Sequence, residues 1–251
     1  KSFICLDDKN NKNLIKIIKK KNFYTYGEDP KSNFSIKNIN QYKEFSKFDL
    51  LIKLPNKKNR FLKNIIVPLL GNHNIKNAVA AIAVSLTVGI SIFDIKKGLK
   101  NFKGVERRFN KIFSFNNVDF FDDYAHHPTE VKATIDSIKT GWPKRRLITI
   151  FQPHLFSRTK QFFKEFAQSL ELSDIVILTS IYGARERNNK EISSKIILNE
   201  LKNNKHKNSY LISRTDIPGQ INKLIKRNDI IITMGAGDIY KTLDNIYNFI
   251  K

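Results

Sequence analysis

Two segments of the 251-residue sequence, "DDYAHHPTE" and "FQPHLFSRT", concentrate side chains that can do chemistry. In the first, Asp122, Asp123, Tyr124, His126 and His127 precede Pro128, where a helix should begin; in the second, His154 and Arg158 flank Ser157 and Thr159. Each follows a short apolar run that reads as a strand, and open parallel sheets bind ligands at the carboxyl ends of their strands. Imidazoles there can move protons near neutral pH, and a guanidinium grips a carboxylate or phosphate with a fixed fork. Two consecutive strand ends carrying His and Arg are expected to form one crevice wall. Asp and His would also suit a transition metal, but adjacent imidazoles on one turn rarely converge on one ion, and no third cluster has ligand spacing.

Three further segments carry weaker signals. In "GNHNIKNAVAAIAV", Gly71 closes an apolar run, and His73, Asn74 and Asn77 fall on the first turn of the next helix. Free amides and the helix dipole there favour an anion or a polar base edge, although Asn72 or Asn74 could simply cap the helix. "GVERRF" holds Arg107 and Arg108, whose adjacent side chains diverge, so at most one reaches a given site; as an isolated pair they read as a solvated turn. "TMGAGDIY" lacks GxGxxG spacing and a following strand, so it is no dinucleotide fingerprint, but Gly235 and Gly237 allow close backbone approach.

These residues need a frame. In the second half, apolar β-branched runs at 118–121, 147–151, 175–179, 210–212 and 230–234 alternate with helical spacing at 129–138, 160–170, 193–201, 218–225 and 238–250. That alternation is the mark of a parallel sheet, and Pro128 and Pro218 suit first-turn positions. The first half reads as a strand at 2–6, a helix at 13–20, strands at 23–26, 34–39, 48–54 and 61–67 with antiparallel pairing, and helices at 74–87 and 92–101. Residues 102–109 change character and are expected to form a hinge.

Composition narrows the classes. The net charge of +22 comes from 35 Lys and 10 Arg against 23 acidic residues. The Lys are dispersed along the chain, unlike the stripe or arm of a nucleic-acid binder. A single cysteine, Cys5, fits a reducing cytoplasm. The longest mainly apolar stretch, 78–90, contains Ser85 and Thr87 and is shorter than the roughly 20 residues of a membrane span. No nucleic acid and no membrane are therefore expected as partners. Met234 is the only methionine, so the chain is expected to be a piece of something longer.

In order, "GNHNIKNAVAA", "GVERRF", "DDYAHHPTE", "FQPHLFSRT", "IYGARE" and "TMGAGDIYK" resemble the second half of the Mur ligases. They are most similar to the branch that joins L-alanine to UDP-N-acetylmuramate. A sister branch attaching a recycled tripeptide to the same sugar nucleotide shares the Asp, His and Pro pattern but does not usually carry "FQPH...SRT". The resemblance implies an α/β fold: the end of a central ATPase domain at 1–105, then a C-terminal Rossmann-like parallel-sheet domain at 106–251. It implies ATP and Mg²⁺, with the P-loop and the metal ligands upstream of Lys1, since no GxxxxGK[ST] pattern occurs in the chain. The N-terminal half of the same enzyme is then a required partner, and the chain alone is expected to be inactive.

The implied reaction in peptidoglycan synthesis phosphorylates the lactyl carboxylate of UDP-N-acetylmuramate with ATP, and the L-alanine amine then attacks the acyl phosphate. By the same resemblance, His73, Asn74 and Asn77 face the adenine, Arg108 the nucleotide phosphates and Asp123 the ribose. Tyr124, His126 and Arg158 hold L-alanine, with Arg158 on its carboxylate and His126 near its amine, and His154 approaches the reacting phosphoryl group. The sequence departs from the family at Leu155, where Arg is frequent, and at Ala125, where Gly is common. The short stretch at 109–122 implies a trimmed hairpin.

Overall fold

The structure is a computed structural model that describes every residue except 19–21, 44, 188 and 190. It divides into two units, Lys1–Gly104 and Val105–Lys251, the boundary falling within the 102–109 segment. In the first unit β1 (Ser2–Cys5), α1 (Lys9–Ile17), β2 (Phe23–Gly27), β3 (Phe34–Gln41), β4 (Ser46–Ile52) and β5 (Arg60–Val67) precede α2 (Asn72–Thr87) and α3 (Ile92–Lys100). The sheet order is β1-β2-β3-β4-β5.

Antiparallel pairing holds from β3 to β5, whereas β1, β2 and β3 run parallel, contrary to the expectation from sequence. Helix α1 supplies the crossover that parallel β1 and β2 require. β2 meets β3 only at Tyr26↔Phe34 and Gly27↔Ser35, so a short link suffices there. α1 begins four residues earlier than its apolar spacing suggests because the Asp8 carboxylate accepts from the amides of Asn10 and Asn11, at 2.8 and 3.1 Å. The end expected for that helix, Lys19 and Lys20, lies outside the described residues. On α2, Ile75, Ala78, Val79, Ile82 and Ala83 form one buried stripe against Phe34, Phe48, Leu50 and Ile65 of the sheet.

The second unit opens with the hairpin β6 (Asn110–Phe115) and β7 (Val118–Asp123). It continues as α4 (Pro128–Gly141), β8 (Leu147–Phe151), α5 (Phe156–Leu170), β9 (Ile175–Leu178), α6 (Lys195–Asn203), β10 (Ser209–Leu211), α7 (Ile217–Leu224) and β11 (Ile230–Met234). A 3₁₀ turn at Ile239–Lys241 leads into α8 (Thr242–Ile250). The sheet order is β10-β9-β8-β11-β7-β6, parallel throughout except β6. Both faces of the central strands are covered, so every residue of β8, β9 and β11 is buried, and all but Thr149 and Thr233 are apolar. Phe121, Phe151, Val176 and Ile232 pack with α4, α5 and α6, while Phe120, Ile150, Ile177 and Ile231 pack with α7 and α8. Because the chain returns to insert β11 between β7 and β8, the two chemical motifs follow strands that are consecutive among the apolar runs of the sequence but separated in the sheet by β11.

Candidate active site

β7 ends in two buried carboxylates. Asp123 is 4% exposed, its Oδ1 accepting from the Ala125 amide at 2.8 Å and its Oδ2 from Thr134 Oγ1 at 2.9 Å. These bonds turn the chain from β7 into α4. Burial, opposed only in part by those donors, raises the Asp123 pKa to about 6. Ala125 is buried and is not among the residues with positive φ, so replacing the family's glycine introduces no backbone strain.

The same turn carries Tyr124 and His126 to the half-exposed rim. His126 Nδ1 lies 2.9 Å from the Tyr124 carbonyl oxygen, which can only accept. The neutral ring therefore carries its proton on Nδ1 and offers Nε2 as an acceptor. Glu130 accepts from the amides of His126 and His127 at 3.1 and 3.2 Å, and His127 Nδ1 accepts from the Thr129 amide, forming a capping box. His127 thus starts α4 and packs against Phe162, while His126 faces the crevice side.

The second wall leaves β8. Leu155 adopts φ 72° and ψ 133°, a conformation sparsely populated by non-glycine residues. Its amide donates to the Tyr182 carbonyl at 2.9 Å and the Tyr182 amide donates to the Pro153 carbonyl at 2.8 Å. Arg158, on the first turn of α5, places a terminal nitrogen 3.4 Å from His154 Nδ1. Since guanidinium only donates, His154 accepts there and its neutral form keeps the proton on Nε2. Burial, followed by the charges of Arg158 and His126, lowers the His154 pKa. Four rings then form a row across the strand ends: Tyr124 to His126 at 5.2 Å, His126 to His154 at 5.7 Å and His154 to Tyr182 at 5.8 Å.

The glycines after β11 do allow close approach, but by the protein's own backbone and side chains. A Cβ on Gly237 would stand 2.5 Å from Gln152 Oε1 and 2.7 Å from the Tyr182 ring, and one on Gly235 2.8 Å from the Gln152 carbonyl oxygen. Arg107 and Arg108 diverge as expected. Arg108 is half exposed, 3.9 Å from Glu130 and 5.7 Å from the Tyr124 ring centroid. Arg107 turns inward and pairs with Asp122 at 3.0 Å. Tyr182 and Arg107 received no role from their motifs; the signal for Tyr182 was its place after a strand end, and for Arg107 there was none beyond its charge.

In the first unit, His73 and Asn74 are half-buried and Asn77 is exposed on the first turns of α2. The helix is not capped by Asn72 or Asn74. Gly71, at φ 91°, is the N-cap residue; Asn72 Oδ1 accepts from Gln41 at 2.6 Å, and Asn74 Nδ2 donates to the Leu70 carbonyl at 2.7 Å. Among the described residues nothing donates to the Asn74 side-chain oxygen, Oδ1, which is left to accept. Asn74 and Asn77 line one end of a groove of about 410 Å³ whose walls include Ala78, Gly98, Leu99 and Phe102.

Residues 107–237 match the family model described as the Mur ligase glutamate ligase domain, and residues 1–85 match the Mur ligase middle domain. The chain belongs to the Mur ligase family. Over 244 residues, 95% of its length, this Mur ligase chain is 50% identical to a UDP-N-acetylmuramate--L-alanine ligase of Pelagibacter ubique, and the match covers 52% of that protein. A UDP-N-acetylmuramate-alanine ligase from Thermotoga maritima has a similar structure, with a TM-score of 0.71 and 25% identity over 90% of this chain and 47% of that one. The murein peptide ligase of Psychrobacter arcticus shares the fold, with a TM-score of 0.65 and 24% identity over 91% of this chain and 46% of that one. The Mur ligase chain therefore spans about half the length of these relatives. Among its described residues no group of three or more His, Cys, Asp or Glu is placed to hold a metal ion, so no Mg²⁺ ligand is assigned here. Among the same residues no helix is long and apolar enough to cross a membrane.

Proposed function

We propose that this chain supplies the amino-acid site, and part of the nucleotide site, of a cytoplasmic ligase that uses ATP to join L-alanine to UDP-N-acetylmuramate in peptidoglycan synthesis. One observation carries this reading: Tyr124, His126, His154 and Arg158 gather at the carboxyl ends of β7 and β8 in a chain 50% identical to an L-alanine ligase. ATP phosphorylates the lactyl carboxylate, releasing ADP; the alanine nitrogen then bonds to the acyl carbon and the C–O bond to phosphate breaks.

The side chains divide that work by their chemistry. Arg158, which has no carboxylate partner among the described residues, takes the alanine carboxylate in a bidentate pair. His126 Nε2, a lone-pair acceptor, removes the ammonium proton that would otherwise block attack. His154 Nε2–H donates toward the phosphoryl oxygens, where charge develops. Arg108 neutralises nucleotide phosphate from its half-exposed position. In the first unit His73, Asn74 and Asn77 receive the adenine, the free Asn74 oxygen suiting its exocyclic amine. Asp123 reaches a ribose only through lone pairs left beside Ala125 and Thr134, so its more direct part is to hold the β7–α4 turn.

The test exchanges this chain for the matching 244 residues of the Pelagibacter relative and follows phosphate release by the hybrid. Release should require L-alanine, UDP-N-acetylmuramate and ATP together. Turnover with the recycled peptide but not with L-alanine would assign the chain to the peptide-ligase branch instead.

A further inference from the structure

We propose that Arg107 is the positioning residue of the amino-acid site: by tying the end of β7 to the end of β11, it fixes the Tyr124 ring and, through it, His126. The proposal rests on the reading above that Tyr124 and His126 receive the amino acid. Arg107 touches no substrate in this account; it acts through Tyr124.

Each of the three guanidinium nitrogens donates a hydrogen bond, and two aromatic rings lie near the charged carbon. Nε donates to Asp122 at 3.0 Å, one terminal nitrogen to the Gly237 carbonyl at 3.0 Å and the other to the Gly235 carbonyl at 2.6 Å. The charged carbon lies 4.4 Å from the Tyr240 ring centroid and 5.0 Å from that of Tyr124. The Arg107 carbonyl oxygen also accepts from the Tyr124 amide at 2.6 Å. Asp122, with 2% of its side chain exposed, takes a further bond from Thr233 Oγ1 at 2.7 Å, so the ion pair is anchored on both strands.

Charge balance for Asp122 accounts for only one of these contacts, and a lysine would provide it. The others require a planar cation that donates in its plane to three acceptors while its faces meet aromatic rings, which is arginine's chemistry. Two of the acceptors are backbone carbonyls of the glycine loop that separates the Tyr124 wall from the His154 wall, and no side chain within that loop could bring them together. The backbone is committed as well. Arg107 sits at φ 57° and Phe109 at φ 52°, conformations that non-glycine residues keep only when their surroundings hold them, and Phe109 stacks on Phe121 at 4.8 Å. Of the groups against the Tyr124 ring, Arg108 is half exposed, whereas Arg107 is pinned from three sides.

The test uses Arg107→Lys, which keeps a charge beside Asp122 but loses the plane. In the 251-residue chain, NMR of the imidazoles should show the His126 resonances displaced, while those of His206, bonded to the Ser173 carbonyl at 2.8 Å, stay in place. In the hybrid ligase the same change should raise KM for L-alanine by about 10–100-fold and leave KM for ATP within about twofold. Tyr240→Leu, which removes one stacked face and none of the hydrogen bonds, should move His126 in the same direction by less, and it serves if the lysine variant fails to fold. Unmoved His126 resonances in the variant that folds would overturn the proposal, as would equal rises in both KM values. A hybrid without L-alanine turnover would count against the functional reading, and the His126 resonances would still decide Arg107's role.

Discussion

A terminal nitrogen of Arg158 stands 3.4 Å from Nδ1 of His154, so two groups able to carry positive charge share one strand end. Burial, and after it the Arg158 charge, makes protonation of His154 costlier and so favours its neutral form. Arg158→Ala should therefore raise the His154 pKa toward its ordinary value without fully restoring it, because burial is the larger cause of the depression. An NMR titration of the imidazole in the 251-residue chain measures this. An unchanged or lower His154 pKa would show that Arg158 does not act on it.

Asp123 supplies a stability prediction of definite sign. Its carboxyl titrates at about 6 in the fold against an ordinary 3.8. Between those values the folded state binds more protons than the unfolded one, so the group's contribution to stability falls as pH rises from about 4 to about 6. The shift corresponds to roughly 3 kcal/mol at most. Asp123→Asn can still accept from Ala125 and meet Thr134, so it should be close to neutral at low pH and stabilising above about pH 6. Urea unfolding followed through Trp142, the only tryptophan, which packs on Phe121 at 5.8 Å, reports on this unit. A variant less stable than the parent at neutral pH would contradict the sign.

Two glycines of the second unit should respond oppositely to alanine. At Gly237 the new Cβ would collide with Gln152 and Tyr182, at 2.5 and 2.7 Å, and we expect a loss of about 1–3 kcal/mol. At Gly219, within α7, the nearest atom is 3.8 Å away, so alanine should add up to about 1 kcal/mol through helix propensity. The same Trp142 signal compares them, and equal effects would refute the packing argument.

Residues 102–109 are predicted to be the most readily cleaved segment of the folded chain. The stretch from Phe102 to Phe109 has no regular secondary structure, and the boundary between the two units falls inside it. Limited proteolysis with trypsin has Lys103, Arg107 and Arg108 available there. Because Arg107 is pinned and Lys103 is not, the first cut should fall at Lys103. Early cuts within β7 to β11 instead would place the weak point elsewhere.

Local signals in the sequence carried the second half well. Residues 147–151 and 230–234 are strands over those very bounds, since a fully buried strand is β-branched and mainly apolar, and the runs are bounded by Arg146 and Gln152 in one case and by Asp229 and Gly235 in the other. Helix α5 starts four residues before its apolar spacing suggests because its N-cap is Leu155, which gives no capping signal, and its first turn holds Ser157 and Arg158. Pairing was less legible. Whether β1 and β2 run parallel depends on the crossover through α1, and the insertion of β11 between β7 and β8 depends on pairings such as Ile230↔Asp119 and Ile230↔Leu147, between residues far apart in sequence. Arg107 is hidden for the same reason: its carbonyl partners lie 128 and 130 residues away, and no local pattern marks them. His126 and His154 were visible as motif residues, but their proton-bearing nitrogens follow only from what the opposite ring nitrogen meets.

The most direct test of the amino-acid site is the L-alanine dependence of phosphate release by the hybrid ligase with Arg158 and with Arg158→Ala. If Arg158 pairs the alanine carboxylate, truncation should weaken L-alanine use by roughly 2–5 kcal/mol, and ATP dependence should hardly change. Lysine should rescue it poorly, because an ammonium cannot reproduce the two parallel bonds. An L-alanine dependence unchanged by the truncation, or an equal loss of ATP binding, would contradict the account and remove Arg158 from the amino-acid site.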